Sequence, residues 1–145
     1  MNIAFGCDHA GYNHRKDIID FLKKRSYNVT DFGCDKTESC DYPEIAIKVA
    51  KTVSEGKCER GILICGTGIG VSITANKFKG IRAAVCWNDK VASLISEHNN
   101  ANIICLPGRF ATTEEMSRWI EIWLNTPVSK EKRHLDRLKM ITDIE

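Results

Sequence analysis

The sequence predicts an α/β fold: a three-layer α/β/α sandwich around a five-stranded parallel sheet. Two observations carry this prediction. Short apolar runs alternate with amphipathic segments from one end of the chain to the other. Strands that alternate with helices pair in parallel and are covered on both faces. In addition, the run Gly61-Ile62-Leu63-Ile64-Cys65 passes into Gly66-Thr67-Gly68-Ile69-Gly70 and then into a helical pattern from Val71. Strand, glycine loop and helix in that order aim backbone N–H groups at an anion.

Strands are expected over residues 2–7, 28–33, 61–65, 83–87 and 102–107. Between them, Ile18, Ile19, Phe21 and Leu22 mark one helical stripe. Ile45, Ala46, Val49, Ala50 and Val53 mark a second, and Val91, Leu94 and Ile95 a third. Spacings of three and four residues put such side chains on one helix face. Thr112 followed by Glu115 is a capping-box start. Met116, Trp119, Ile120, Trp123 and Leu124 continue that helix, and its two tryptophans read as core or interface residues. Residues 130–144 read as a last helix with Leu135, Leu138 and Ile141 on one side. The whole span 1–145 reads as one domain. Its longest irregular stretch, 33–43, is polar and holds Cys34, Cys40, Asp41 and Tyr42. A loop of that length in a small domain is often functional.

Composition excludes several classes. The chain has 145 residues, 28% of them charged, and a net charge of only +2. Nothing in that balance favours nucleic acid or an anionic membrane. No apolar run approaches the ~20 residues of a membrane span. The first residues lack the basic start of an export signal. The seven cysteines are odd in number and show no C-x-x-C or metal-finger spacing. Free thiols in a reducing cytoplasm are the expected state, several of them buried. A thiol redox role finds no resolving partner for Cys65.

Ligands of a parallel sheet bind beyond the carboxyl ends of its strands. The first strand ends in Cys7-Asp8-His9-Ala10-Gly11, the third in Cys65-Gly66-Thr67-Gly68 and the fifth in Pro107-Gly108-Arg109. Asp8, His9, Cys65, Thr67 and Arg109 are therefore expected along one rim. The glycine loop has no Lys-Ser/Thr after it and lies on the third strand, so neither nucleotide fingerprint fits. It suits a small anion or a developing oxyanion; the bland alternative is a tight turn. Cys65 stands at a helix N-terminus, where the dipole favours a thiolate. The bland alternative is a buried strand residue like Cys105. A lone histidine is more often structural than catalytic, and His14 fits that reading. His98 lies in the polar run Glu97-His98-Asn99-Asn100 and reads as functional. Arg133 and Arg137 are four residues apart and share a helix side. Two guanidiniums on one face suit a phosphate, although a solvated basic face is the commoner meaning.

The chain resembles the type B ribose-5-phosphate isomerases, a family shared with galactose-6-phosphate and allose-6-phosphate isomerases. The resemblance spans the whole length. It is carried by Gly6-Cys7-Asp8-His9-Ala10-Gly11, Asp41-Tyr42-Pro43, Ile64-Cys65-Gly66-Thr67-Gly68-Ile69-Gly70, Ala75-Asn76-Lys77, Gly80-Ile81-Arg82-Ala83, His98-Asn99-Asn100-Ala101-Asn102 and Arg133-His134-x-x-Arg137. It implies a Rossmann-like sheet of order 2-1-3-5-4. It also implies a cytoplasmic homodimer, in some members paired into a tetramer, whose active sites draw on both subunits. The last helix is then expected to reach the partner subunit. The implied activity is interconversion of ribose 5-phosphate and ribulose 5-phosphate in the non-oxidative pentose phosphate pathway. A six-carbon sugar phosphate, such as allose 6-phosphate or galactose 6-phosphate, and a non-catalytic phosphosugar-binding role are the alternatives. No metal, organic cofactor, nucleic acid or membrane partner is implied. Cys65 would move the proton between C1 and C2, and Thr67 would assist at the oxygens. The backbone of Gly66, Gly68 and Gly70 would hold the enediolate. His98 with Asp8 would open the sugar ring, and Asn99 and Tyr42 would contact the sugar. His9, Arg109, Arg133, His134 and Arg137 would line the phosphate site. Some members carry a glutamate just after the glycine loop instead of the cysteine; Val71 stands there, which makes this chain the cysteine type. The tail departs from the pattern at Glu131-Lys132, where glycines are commoner.

Overall fold

The computed structural model describes residues 1–35 and 39–145. Among the described residues five strands alternate with helices, and a sixth helix follows the fifth: β1 Asn2–Cys7, α1 Tyr12–Lys24, β2 Asn28–Asp31, α2 Tyr42–Ser54, β3 Arg60–Cys65, α3 Ile69–Ala75, β4 Ala83–Val85, α4 Asp89–Glu97, β5 Ile103–Pro107, α5 Thr113–Asn125 and α6 Lys132–Thr142. The strands form one sheet of order β2-β1-β3-β5-β4, and every pairing is parallel. The three-layer fold and the strand order are as the sequence and the resemblance led one to expect.

Strand periodicity decides what lies on each face. On β3, Ile62 and Ile64 point into a core shared with α1, α4 and α5. Leu63 and Cys65 point the other way, into a core shared with α2 and α3. Side chains alternate across a strand, so the position of Cys65 on the α2–α3 face follows from its register alone. The inner strands β1, β3 and β5 are apolar on both faces, as a sheet covered on both sides requires. At Gly6 an added Cβ would lie 2.6 Å from Ile45 and 2.8 Å from Val49. The α2 helix therefore sits closer to β1 than any side chain there would permit.

The edge strands are shorter than the sequence suggests. β2 stops at Asp31, although Phe32 and Cys34 still donate to the Phe5 and Cys7 carbonyls. β4 stops at Val85; Trp87 has left the sheet and is 61% exposed. The expected capping box is present: Thr112 Oγ1 accepts from Glu115 N–H, and the Glu115 carboxylate accepts from Thr112 N–H. Trp119 and Trp123 are core residues.

One expectation is corrected. Cys34 and Cys40 form a disulfide, with Cα atoms 6.8 Å apart. The other five cysteines are free and buried. The strand end that holds Cys34 and the approach to α2 that holds Cys40 are brought together by the packing of α2 on β1. A five-residue gap in sequence carries no sign of that encounter.

Trp123 is 1% exposed, and its indole N–H donates to the Ala101 carbonyl at 3.0 Å. Trp123→Ala is expected to lower stability by about 3–5 kcal/mol. Urea unfolding followed by circular dichroism checks this.

Candidate active site

The carboxyl ends of β1, β3 and β5 surround a cavity of about 540 Å³. Asp8 and His9 come from the end of β1, and Cys65, Gly66 and Thr67 from the end of β3. Arg109 follows β5, and Tyr42 opens α2. A groove of similar size lies on the outer face of α1, but its Arg15 and Lys16 are already paired with Asp31 and Asp20. The first cavity is the one that gathers chemically able groups.

Cys65 is 5% exposed and forms part of the cavity wall. The Gly68 N–H donates to its sulfur at 3.2 Å. The α3 helix has only seven residues, so this single donor, rather than a long dipole, is what faces the sulfur. An N–H aimed at sulfur is suited to hold negative charge there. Gly68 adopts φ +76°, and a Cβ there would meet the Cys105 backbone at 3.2 Å. Only glycine fits that conformation and that space. At Gly70 a Cβ would lie 2.6 Å from the ring of Tyr42. The missing side chain is the seat of the tyrosine.

The rim is spliced together by backbone bonds. Gly108 N–H donates to the Cys65 carbonyl at 2.8 Å, and Arg109 N–H to the Gly66 carbonyl at 3.1 Å. His14 supports this turn from below. Its Nε2 lies 2.9 Å from the Gly108 carbonyl and its Nδ1 2.7 Å from Thr113 Oγ1. A carbonyl can only accept, so Nε2 carries the proton and Nδ1 takes the threonine hydrogen. The structural reading of His14 thus holds, with a location next to the site that its sequence neighbours do not signal.

Asp8 is 5% exposed, and its Oδ1 accepts from Ala10 N–H at 2.9 Å. His9 has two donors against its ring: Cys40 N–H at Nδ1 and Arg109 Nη2 at Nε2, each at 3.4 Å. A neutral imidazole carries one N–H and cannot accept at both nitrogens. An anionic oxygen between His9 and Arg109 would accept from both and remove that competition.

The remaining residues singled out in the sequence lie elsewhere. His98 caps the C-terminus of α4, which runs back to the amino edge of the sheet. The segment after it is fastened there, since Gly61 N–H, at the start of β3, donates to the Asn102 carbonyl. Gly61 and Cys65 are four strand residues apart, about 13 Å. The α6 helix lies at the same edge, with the His134 ring stacked on His98 at 4.0 Å between centroids. His134 is 5% exposed, and its Nε2 has no hydrogen-bond partner among the described residues. Desolvation first, then His98 and Arg133, hold its pKa below the usual histidine value. Arg133 reaches Glu131 at 2.7 Å. Arg137 is exposed, and so is Asn99. One chain therefore brings together Asp8, His9, Tyr42, Cys65, Gly66, Thr67, Gly68, Gly70 and Arg109. It gathers His98, Asn99, Arg133, His134 and Arg137 separately, at the opposite edge. No cluster of metal-binding side chains occurs among the described residues.

The comparisons with known proteins bear on the family and the fold. Residues 3–141 match the family model described as Ribose/Galactose Isomerase. The chain is 42% identical to ribose-5-phosphate isomerase B of Escherichia coli over 143 residues, covering 99% of this chain and 95% of that protein. It is 40% identical over 126 residues to D-erythrulose-4-phosphate isomerase of Pectobacterium atrosepticum, covering 86% of this chain and 83% of that one. The solved structure of Clostridium thermocellum ribose-5-phosphate isomerase B superposes with a TM-score of 0.95 at 48% identity, over 99% of this chain and 97% of that one. With the motif-bearing strand ends converging as described, the chain belongs to the ribose/galactose isomerase family.

Proposed function

We propose that the chain is an aldose–ketose isomerase that interconverts D-ribose 5-phosphate and D-ribulose 5-phosphate through an enediolate. One observation carries the reading: Cys65 lines the cavity that also presents the glycine loop, His9 and Arg109. The C2 proton of an aldose is weakly acidic. Its removal needs a base and immediate stabilisation of the anion. In this reading Cys65 is the base and Thr67 assists at the oxygens. The backbone of Gly66, Gly68 and Gly70 holds the enediolate, while Tyr42 contacts the sugar and His9 and Arg109 bind the phosphate. A positioned base contributes ~10²–10⁴-fold and an oxyanion donor ~10²–10³-fold. The distant phosphate orients the open chain against the sulfur.

Ring opening by His98 with Asp8 needs groups that one chain keeps at opposite edges. We infer a homodimer in which His98, Asn99, Arg133, His134 and Arg137 of a second copy close the cavity. Exposed apolar surface on both regions supports this: Ile69 and Ile73 beside the cavity, and Leu135, Met140 and Ile141 on α6. A two-fold axis would bury each against the other twice. Pairing of dimers into a tetramer extends the same reading. No described helix is long and apolar enough to cross a membrane, and a cytoplasmic role in pentose phosphate metabolism completes the proposal.

Four outcomes are expected. Cys65→Ala lowers kcat on ribose 5-phosphate by at least ~10²-fold, with fold intact by circular dichroism; near-normal turnover would refute the base. The same coupled assay on four- and six-carbon aldose phosphates should give lower kcat/KM, and a reversal assigns the site to those sugars. Iodoacetamide at neutral pH should modify Cys65 first and abolish turnover, as read by peptide mass spectrometry. Burial pushes the thiols of Cys7 up to about 12 and Cys86 up to about 11, and raises Cys58 and Cys105 as well. Finally, co-expressing Cys65→Ala with His98→Asn chains, each inactive alone, should restore about a quarter of normal activity, since roughly half the dimers are mixed and each has one intact site. Absence of restoration argues for sites confined to one chain.

A further inference from the structure

The Cys34–Cys40 disulfide takes no part in the reaction above, yet it connects a fixed strand end to two residues of the cavity. On one side, Cys34 is anchored. Its N–H donates to the Cys7 carbonyl at 2.8 Å, and its carbonyl accepts from Arg15 at 2.8 Å. Arg15 is itself held by Asp31 and Asp35. On the other side, Cys40 N–H donates to His9 Nδ1 at 3.4 Å. Two residues on, Tyr42 opens α2 with its ring against Gly70. The contact from Cys40 to His9 is at the long end of hydrogen-bond range, so it cannot by itself hold the segment.

We propose that this disulfide is a positioning element for the substrate side of the site: intact, it keeps Cys40 N–H on His9 and Tyr42 over Gly70, and its reduction loosens both and weakens sugar-phosphate binding. The inference rests on the reading that His9 and Tyr42 contact the substrate. Reduction by a dithiol is a two-electron exchange. A reagent thiolate attacks one sulfur and forms a mixed disulfide. The second reagent thiol then displaces the protein sulfur. Cys34 and Cys40 each end with a proton, and the dithiol ends as a cyclic disulfide. Neither cysteine touches the reacting carbon, so kcat is governed by Cys65 in both states, while binding pays for re-ordering the released segment.

The test compares untreated protein, protein reduced with dithiothreitol and the double variant Cys34→Ser, Cys40→Ser. Denatured, untreated protein should titrate five thiols, and reduced protein all seven. Reduction should raise KM for ribose 5-phosphate by about three- to tenfold, the size expected when one or two side chains must be ordered on binding. The kcat should stay within about twofold, since the proton transfer itself is untouched. The double variant should show the raised KM and no response to dithiothreitol. Amide hydrogen exchange of the peptide carrying Cys40 and Tyr42 should quicken on reduction, whatever the turnover. Seven thiols in untreated protein, an unchanged KM after the count rises to seven, or unchanged exchange each overturns the inference. Lack of turnover in every form would instead refute the isomerase reading, with the exchange measurement still deciding the role of the disulfide.

Discussion

The parallel pairing of β3 between β1 and β5 is the constraint on which the rest depends. It places Ile3 beside Arg60 and Cys65 beside Pro107, so three chain segments leave the sheet at the same edge. It also fixes the face toward which the Cys65 sulfur points. The hydrogen bonds from Gly108 to Cys65 and from Arg109 to Gly66 extend this pairing beyond the last ladder residue. The loop that carries the thiol and the loop that carries the guanidinium are therefore one continuous backbone structure. The His14 imidazole fastens that structure to α5 through Thr113.

A second consequence of the parallel topology is that helices return to the opposite edge. The α4 helix must do so before β5 can begin, and it takes His98 and Asn99 with it. The α6 helix joins them through the His98–His134 stack. One chain thus holds its motif residues in two clusters at opposite edges of the sheet, each beside exposed apolar side chains. The buried Nε2 of His134, without a hydrogen-bond partner among the described residues, is costly in isolation. A second copy that seals this edge would bring polar groups and substrate to it.

The cysteines divide by environment. Cys7, Cys86 and Cys105 lie in the cores, where burial pushes their thiol pKa values up. Cys65 borders the cavity and has an amide against its sulfur. Cys34 and Cys40 are consumed by one another. Composition treats the seven alike, and only their places in the fold give them different chemistry.

Much of this was legible in the sequence. The alternation of apolar runs and helical stripes determined the α/β class, because short unbroken apolar runs between stripes of 3.6-residue period fit a parallel sheet covered on both faces. The capping box at Thr112 and Glu115 and the glycine loop after Cys65 could be read directly, since each is a local requirement of the backbone. The strand ends gave Asp8, His9, Cys65, Thr67 and Arg109, because a parallel sheet has only one carboxyl edge. Tertiary structure alone decided the rest. The disulfide, between residues only six apart, depends on where α2 packs, while the bond of His14 to the Gly108 carbonyl and the seat of Tyr42 on Gly70 join residues far apart in the chain. So does the division of the motif residues between two edges of the sheet. Each depends on how helices pack across the sheet, and packing distance leaves no local trace in the order of the amino acids.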